Sequence, residues 1–189
     1  MRPQRAAVRE QGTLDDLTLA RAQRGDHAAF RELVVCHQQA VFSYLWRMLG
    51  AAATRAQIED LTQDTFVRVH RGLPRFVIAG PARLSTWILT IATRVALNAL
   101  RQRQPATESL GRRARSVAAG GPDTAVGMIV REALDRMTPE HRAILVLREY
   151  HELDYREIAD ALKIDLGTVR SRLSRARDAL RAALSEEDA

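Results

Sequence analysis

The segment 154–184 constrains the fold of this chain more than any other, because two helix signals follow each other there with almost no room between them. The stretch "DYREIADALKID" opens with Asp154 and carries Glu157 three residues later. That spacing lets the two side chains satisfy the free backbone amides at the start of a helix. Asp165 can cap the next helix after a tight turn at Lys163. The segment therefore predicts a helix-turn-helix.

The second helix of this pair has one apolar face and one basic face. Its apolar positions follow a 4, 3, 4 spacing that is typical of a buried helical stripe. Between residues 166 and 181 five arginines face one aspartate, whereas residues 126–189 as a whole carry 11 Lys and Arg against 13 Asp and Glu. Small residues and arginine at a helix start suit the DNA major groove, where arginine reads guanine edges. An ordinary solvated helix is the alternative while this helix is taken alone. The apolar stripe is Val169, Leu173, Ala176 and Leu180, and the opposite face holds Gly167, Thr168, Ser171, Ser174 and Arg175, flanked by Arg170, Arg172 and Arg177.

Composition excludes several other classes of protein. The formal net charge is +6, and every basic residue except Lys163 is an arginine, which suits phosphate binding but equally fits a GC-rich genome. The single Cys36 cannot form an internal disulfide or, by itself, a cysteine zinc site. The five histidines have no metal-ligand spacing, and no phosphate-binding loop is present. No long apolar stretch or signal peptide is visible, so we expect a cytoplasmic protein without metal, cofactor or catalytic residues.

The strongest break in composition divides the chain into two parts. Proline, glycine and scattered polar residues between Arg101 and Ala125 cannot form a periodic apolar face. We therefore predict an all-α protein of two small helical domains, residues 13–104 and 125–185. A disordered tail at 1–12 precedes them, and a flexible linker at 105–124 joins them.

The first domain reads as successive helices. One is expected from Leu14 to Gln23, and Asp26 caps a second that reaches about Leu49, with His37 interpreted as a packed core histidine. Thr54 and Gln57 then have capping-box spacing. In the helix that follows, the apolar residues can face inward and the polar residues outward, and a simple solubility role is the alternative for the outward ones. The inward set is Ile58, Leu61, Thr65, Phe66, Val69 and Leu73, and the outward set is Asp60, Gln63, Asp64 and Arg68.

The end of the first domain combines a loop broken by Gly and Pro with a helix that has a basic end. Arg94, Arg101 and Arg103 can neutralise a nucleic-acid backbone. Phe76 and Trp87 are aromatic residues that could either complete the core or support unstacked bases.

Four stretches together carry a family resemblance. They are "IEDLTQDTFVRVHRGLPRF", "LSTWILTIATRVALNALRQR", "MTPEHRAILVLREYHELDYREIADAL" and "LGTVRSRLSRARDALRAAL". In this order they resemble the extracytoplasmic-function (ECF) group of the sigma-70 family of bacterial RNA polymerase sigma factors, over about residues 14–185. The resemblance implies a non-catalytic subunit that joins core RNA polymerase through its β′ and β subunits, recognises two promoter elements and helps to open the DNA. It also implies an anti-sigma factor as a partner.

The resemblance assigns roles to individual positions. The loop 77–84 and the helix after it match the part that captures an unstacked base of the minus-10 element, although Arg94 departs from the Asn that many members have. Arg172 and Arg177 are expected to contact phosphates. The core-polymerase residues are Asp60, Gln63 and Asp64; the minus-10 residues are Arg94, Asn98, Arg101 and Arg103; the minus-35 residues are Thr168, Arg170, Ser171, Ser174 and Arg175.

Two other functions are alternatives to this one. A stand-alone helix-turn-helix regulator would explain the last 65 residues equally well, but it leaves the acidic "EDLTQD" helix and the tryptophan-bearing segment without a use. An enzyme such as a nuclease would need metal-ligand or phosphate-loop patterns that the sequence lacks.

Overall fold

The helices of the protein begin where the sequence places capping residues. The computed structural model describes residues 14–103 and 125–185, and all regular structure within these ranges is helical. The expected all-α class is confirmed. The α-helices are α1 (Asp16–Gln23), α2 (His27–Leu49), α3 (Arg55–Gly72), α4 (Leu84–Arg103), α5 (Ala125–Asp135), α6 (Pro139–Glu149), α7 (Tyr155–Leu162) and α8 (Leu166–Ser185).

The predicted caps form the predicted hydrogen bonds. The Asp26 side chain accepts from the backbone amides at the start of α2. Thr54 and Gln57 form a complete capping box at the start of α3, and Asp154 and Glu157 form another at the start of α7. These bonds satisfy amides that have no partner inside the helix, which is why local sequence locates the helix starts.

The first four helices form one domain around α2. Helices α1, α3 and α4 all pack against it, and its buried residues include Leu33, Val41 and Leu45. His37 lies only partly in this core, with Nδ1 2.9 Å from the carbonyl oxygen of Leu33. Burial lowers the pKa of His37 below its usual value, which agrees with a packed, neutral histidine.

Helix α2 ends at a glycine that has no simple replacement. Gly50 has φ +51°, a left-handed value that residues with a Cβ avoid, and its amide donates to the carbonyl of Trp46. A short 3-10 helix, Gly50–Ala52, follows directly.

The last four helices contain the predicted helix-turn-helix. Helix α7 ends at Lys163, which adopts the left-handed conformation (φ +54°, ψ +51°). Asp165 then caps α8 by accepting hydrogen bonds from the amide and the hydroxyl of Thr168. Val169 and Leu173 of the predicted apolar stripe are fully buried.

The two sets of helices are in direct contact. Helix α6 packs against α2, α7 packs against the first part of α4, and buried residues of both sets form one continuous core. The sequence predicts two domains but gives no sign of this contact. The expected tail and the linker at 105–124 lie outside the described residues.

Candidate polymerase and DNA interfaces

The outer face of α3 presents the residues expected to bind polymerase. Asp60 and Gln63 are exposed, while Asp64 forms an ion pair of 3.0 Å with Arg68. Ile58 and Phe66 of the predicted inward set are buried, so the division of α3 into two faces is correct. Within residues 14–103 and 125–185, no hydrogen bond or ion pair holds Asp60, and its side chain is exposed.

A groove between α2 and α3 adjoins this face. Gln63 stands at its edge, and its walls are largely apolar. Val67 is 46% exposed and Val35 of α2 is 61% exposed, although both are large apolar residues. Sequence analysis missed this apolar surface because it assigned the exposed side of α3 by its polar residues alone. The apolar walls of the groove are Phe30, Val34, Phe66 and Val67.

One stripe of α4 joins the predicted minus-10 residues. Arg94, Asn98 and Arg101 are exposed and follow i, i+4, i+7 spacing, which places them on one helix face. Arg101 donates to Oδ1 of Asn98 at 2.7 Å and so holds that amide in place. The side chain of Arg103 lies outside the described residues.

The same stripe begins at an aromatic pair. Trp87 lies about two helical turns before Arg94 on the same face. The centroids of the Trp87 and Phe76 rings are 5.1 Å apart, and the two ring planes are tilted relative to each other. Both rings are half-buried, so they pack on the core and keep an accessible edge. Helix α1 fixes the start of the loop before α4. The side-chain amide of Gln23 donates to the backbone carbonyls of Leu73 and Phe76 at 3.0 and 2.6 Å.

The outer face of α8 presents most of the predicted minus-35 residues. Arg170, Ser171, Ser174 and Arg175 are exposed. Thr168 is half-buried and donates its hydroxyl to Asp165, and these contacts hold the pKa of Asp165 below its usual range. The hydroxyl of Thr168 is therefore already engaged at the start of α8.

The two predicted phosphate contacts on α8 differ. Arg172 is half-buried. Arg177 donates from Nε and Nη2 to the same oxygen of Glu149 in α6, at 3.1 and 2.7 Å, and this hydrogen bond raises the pKa of Arg177. A phosphate contact by Arg177 has to compete with that pair, which the sequence did not reveal because the partners are 28 residues apart.

The described residues hold no cluster of three or more His, Cys, Asp or Glu side chains placed to bind a metal ion. Among those same residues, none of the helices is both long and apolar enough to pass through a membrane.

A helix-turn-helix beside a second basic helical face, in a chain whose described regular structure is all helical, is typical of DNA-binding transcription proteins. Family models for sigma-70 region 2 and sigma-70 region 4 match residues 33–106 and 127–180. We call helices α1–α4 the region 2 domain and helices α5–α8 the region 4 domain.

Relatives extend over most of the chain. The ECF RNA polymerase sigma factor SigW of Bacillus subtilis is 28% identical over 183 residues, which cover 89% of this chain and 95% of the relative. The ECF RNA polymerase sigma-E factor of Salmonella typhimurium is 30% identical over 181 residues, covering 88% of this chain and 92% of the relative. The structure of CnrH in complex with the cytosolic domain of CnrY matches with TM-score 0.69 at 25% identity, covering 92% of this chain and 99% of that chain. The chain belongs to the ECF RNA polymerase sigma factors.

Proposed function

We propose that this protein binds core RNA polymerase through the outer face of α3 and directs it to promoters through α4 and α8. It acts as a subunit rather than as an enzyme, in the cytoplasm, where polymerase and chromosomal DNA are found. The observation that carries the proposal is that three separate exposed surfaces lie on one chain of this family: the face of Asp60 and Gln63 beside an apolar groove, and two faces rich in arginine. A stand-alone regulator has no use for the first of them.

The polymerase surface is the face of Asp60 and Gln63 together with the adjoining groove. The carboxylate of Asp60 and the amide of Gln63 favour a partner with complementary charge and hydrogen-bonding groups, while the apolar walls of the groove add apolar area that binding would bury. We assign Asp64 to the same surface, where binding would compete with its ion pair to Arg68. The segment of polymerase that contacts this surface should therefore be basic and amphipathic and should lie along α3. We assign this segment to the β′ subunit, and we expect other parts of the chain to contact the β subunit.

The two DNA surfaces have different chemistry. The α4 stripe combines an aromatic pair with arginines and one fixed amide, which suits an unstacked strand. The α8 face combines small residues with arginines at a helix start, which suits an intact major groove. We assign the minus-10 element to the first surface, with Arg94, Asn98, Arg101 and Arg103, and the minus-35 element to the second.

An anti-sigma factor is the expected regulator. CnrH, one of the solved proteins that this chain resembles, forms a complex with the cytosolic domain of CnrY. We propose that a partner of that kind also binds this protein and competes with polymerase.

A charge reversal on α3 tests the polymerase assignment. Asp60→Lys should weaken association with core polymerase at least about tenfold, because it places a cation where the proposed partner is basic. Glu32→Lys is the matched control, since Glu32 is exposed on α2 on the side away from the groove-lining Val34. Competition for core polymerase against the unaltered protein measures both. Equal affinity of Asp60→Lys and the unaltered protein would refute the assignment.

A further inference from the structure

One polar side chain of α1 reaches the backbone that leads into the loop before α4. Nε2 of Gln23 donates to the carbonyl of Leu73 at 3.0 Å and to that of Phe76 at 2.6 Å. These hydrogen bonds join residues that are 50 and 53 positions apart in the chain. The match to the sigma-70 region 2 model starts at residue 33, so Gln23 lies outside both segments that the family models match.

The two acceptors of Gln23 lie where α3 has already ended. Leu73–Arg75 form a short 3-10 helix, and the backbone amide of Phe76 donates to the carbonyl of Leu73 at 3.0 Å. A glutamine amide carries two N–H groups, so the one side chain of Gln23 can serve both carbonyls at the same time. A partly buried carbonyl that loses its donor has to move toward water. Gln23 therefore fixes the path of the backbone between α3 and the loop.

This stretch of backbone also sets the position of the aromatic pair. The Phe76 ring packs against the Trp87 ring, with 5.1 Å between the centroids. On another side the Trp87 ring lies close to the backbone of Gly72, because a Cβ built on Gly72 would be only 3.0 Å from Cζ2 of the indole. Both contacts of Trp87 thus come from the segment between the end of α3 and the carbonyl that Gln23 holds.

The loop turns immediately after the anchored carbonyl. Val77 is 67% exposed although it is apolar, and its carbonyl accepts from the amide of Gly80 at 3.0 Å. A Cβ built on Gly80 would lie 2.9 Å from the same carbonyl oxygen, so the turn is tight. A tight turn moves as a unit with its first residue. A displacement of Phe76 would therefore shift the whole turn 77–80.

We propose that Gln23 is a positioning residue for minus-10 recognition, which holds the turn 77–80 and the aromatic pair in place beside the DNA-binding stripe of α4. Without its amide the same side chains remain, but they are displaced from the geometry in which they select a base. The expected result is weaker discrimination between minus-10 sequences, with polymerase binding and minus-35 reading intact. The inference rests on the proposed function of the loop and of α4.

Selection by holoenzyme tests the role of the donor. Holoenzyme with the full chain selects from a pool of single-stranded DNA oligonucleotides of randomised sequence, and sequencing of the bound strands gives the enrichment of each base. Gln23→Leu and Gln23→Glu should reduce the enrichment of the preferred bases roughly 5- to 10-fold, because leucine and an ionised carboxylate cannot donate. Gln23→Lys should keep the enrichment within about twofold, since an ammonium group donates to both carbonyls.

A matched variant separates positioning from the stability of α1. The side chain of Asp15 accepts from the amide and the hydroxyl of Thr18 at 2.8 and 2.9 Å and so caps α1. Asp15→Ala should lower the thermal midpoint but leave the enrichment from the single-stranded pool unchanged. Affinity for core polymerase, and the bases that holoenzyme selects at minus-35 from a double-stranded pool, should be the same for every variant.

The fluorescence of Trp87 reports the anchoring without polymerase or DNA. The chain has two tryptophans, so Trp46→Phe leaves Trp87 as the only one. In this background Gln23→Leu and Gln23→Glu should make Trp87 more accessible to quenching by acrylamide, because the segment packed on its ring is released. Gln23→Lys and Asp15→Ala should leave the quenching unchanged.

The outcomes separate this proposal from the proposed function. Enrichment that survives Gln23→Leu, or that Gln23→Lys or Asp15→Ala reduces as much as Gln23→Leu does, would overturn the positioning role. Quenching of Trp87 that Gln23→Leu leaves unchanged would overturn it as well. If quenching changes as expected but the unaltered holoenzyme enriches no sequence from the single-stranded pool, the anchoring by Gln23 stands and the proposed function fails.

Discussion

The contrast between two arginines of α8 gives the sharpest test of the promoter assignment. Arg175 is exposed on the outer face, whereas Arg177 is held by two hydrogen bonds to Glu149. A guanidinium in the position of Arg175 can pair with O6 and N7 of guanine without giving up a hydrogen bond to any residue that the structure describes. A DNA phosphate has to displace Glu149 before it can bind Arg177. Arg177→Ala should therefore weaken DNA binding less than Arg175→Ala does.

The magnitudes follow from these contacts. Arg175→Ala should cost about 1–3 kcal/mol at the cognate minus-35 element, or roughly 5- to 150-fold in affinity, and much less on unrelated DNA. Arg177→Ala should weaken cognate and unrelated DNA about equally, by less than about tenfold. It should also lower the free energy of unfolding by about 0.5 kcal/mol, since both partners of the ion pair are partly exposed.

Holoenzyme binding to a panel of minus-35 variants measures both effects. We expect the Arg175→Ala holoenzyme to lose preference at one or two positions of the element, and the Arg177→Ala holoenzyme to keep the ranking of the unaltered protein. An unchanged ranking with Arg175→Ala would refute the assignment of Arg175 as a base-reading residue.

Three further predictions concern stability. Asp165→Ala should lower the free energy of unfolding by about 1 kcal/mol in chemical denaturation, because α8 loses its cap, while Asp160→Ala on the exposed side of α7 should change it little. Lys163→Gly should raise the free energy of unfolding by about 0.5 kcal/mol, since glycine adopts the left-handed conformation of residue 163 without strain. The thermal midpoint should rise slightly, and a lower midpoint would contradict this reasoning. His151 packs against the Tyr44 ring, and burial, followed by the charge of Arg47, lowers its pKa to about 4. The folded protein accepts the neutral form of His151, so stability should be full above about pH 6.5 and fall by roughly 1 kcal/mol at pH 5.5. His151→Gln should abolish this loss, as measured by thermal unfolding at the two pH values.

Local signals made the helices and their faces predictable. The caps at Asp26, Thr54, Asp154 and Asp165 act within three residues along the chain, so their spacing in the sequence is enough to locate them. The two faces of α3 follow from helical periodicity for the same reason, whereas Asn98 of α4 was expected only from the family resemblance.

Long-range pairs were not predictable. The Arg142 side chain donates to the backbone carbonyl of Met48, 94 residues away, and nothing in either local sequence indicates the other. The ion pair of Arg177 with Glu149 and the packing of α7 on α4 are of the same kind. The apolar groove was missed for a different reason, because Val67 was not recognised as exposed among the polar residues of α3. The roles of the predicted site residues in binding stay predictions.

We expect a library of all amino acids at position 50, selected for folded protein, to yield only glycine. Gly50 needs its left-handed backbone to end α2, and a Cβ built there would collide with the carboxylate of Asp135. The two requirements are separable: shortening residue 135 to alanine removes the collision but leaves the backbone strain. Gly50→Ala should therefore be rescued only in part by Asp135→Ala, and selection for fold alone should already hold this position fixed.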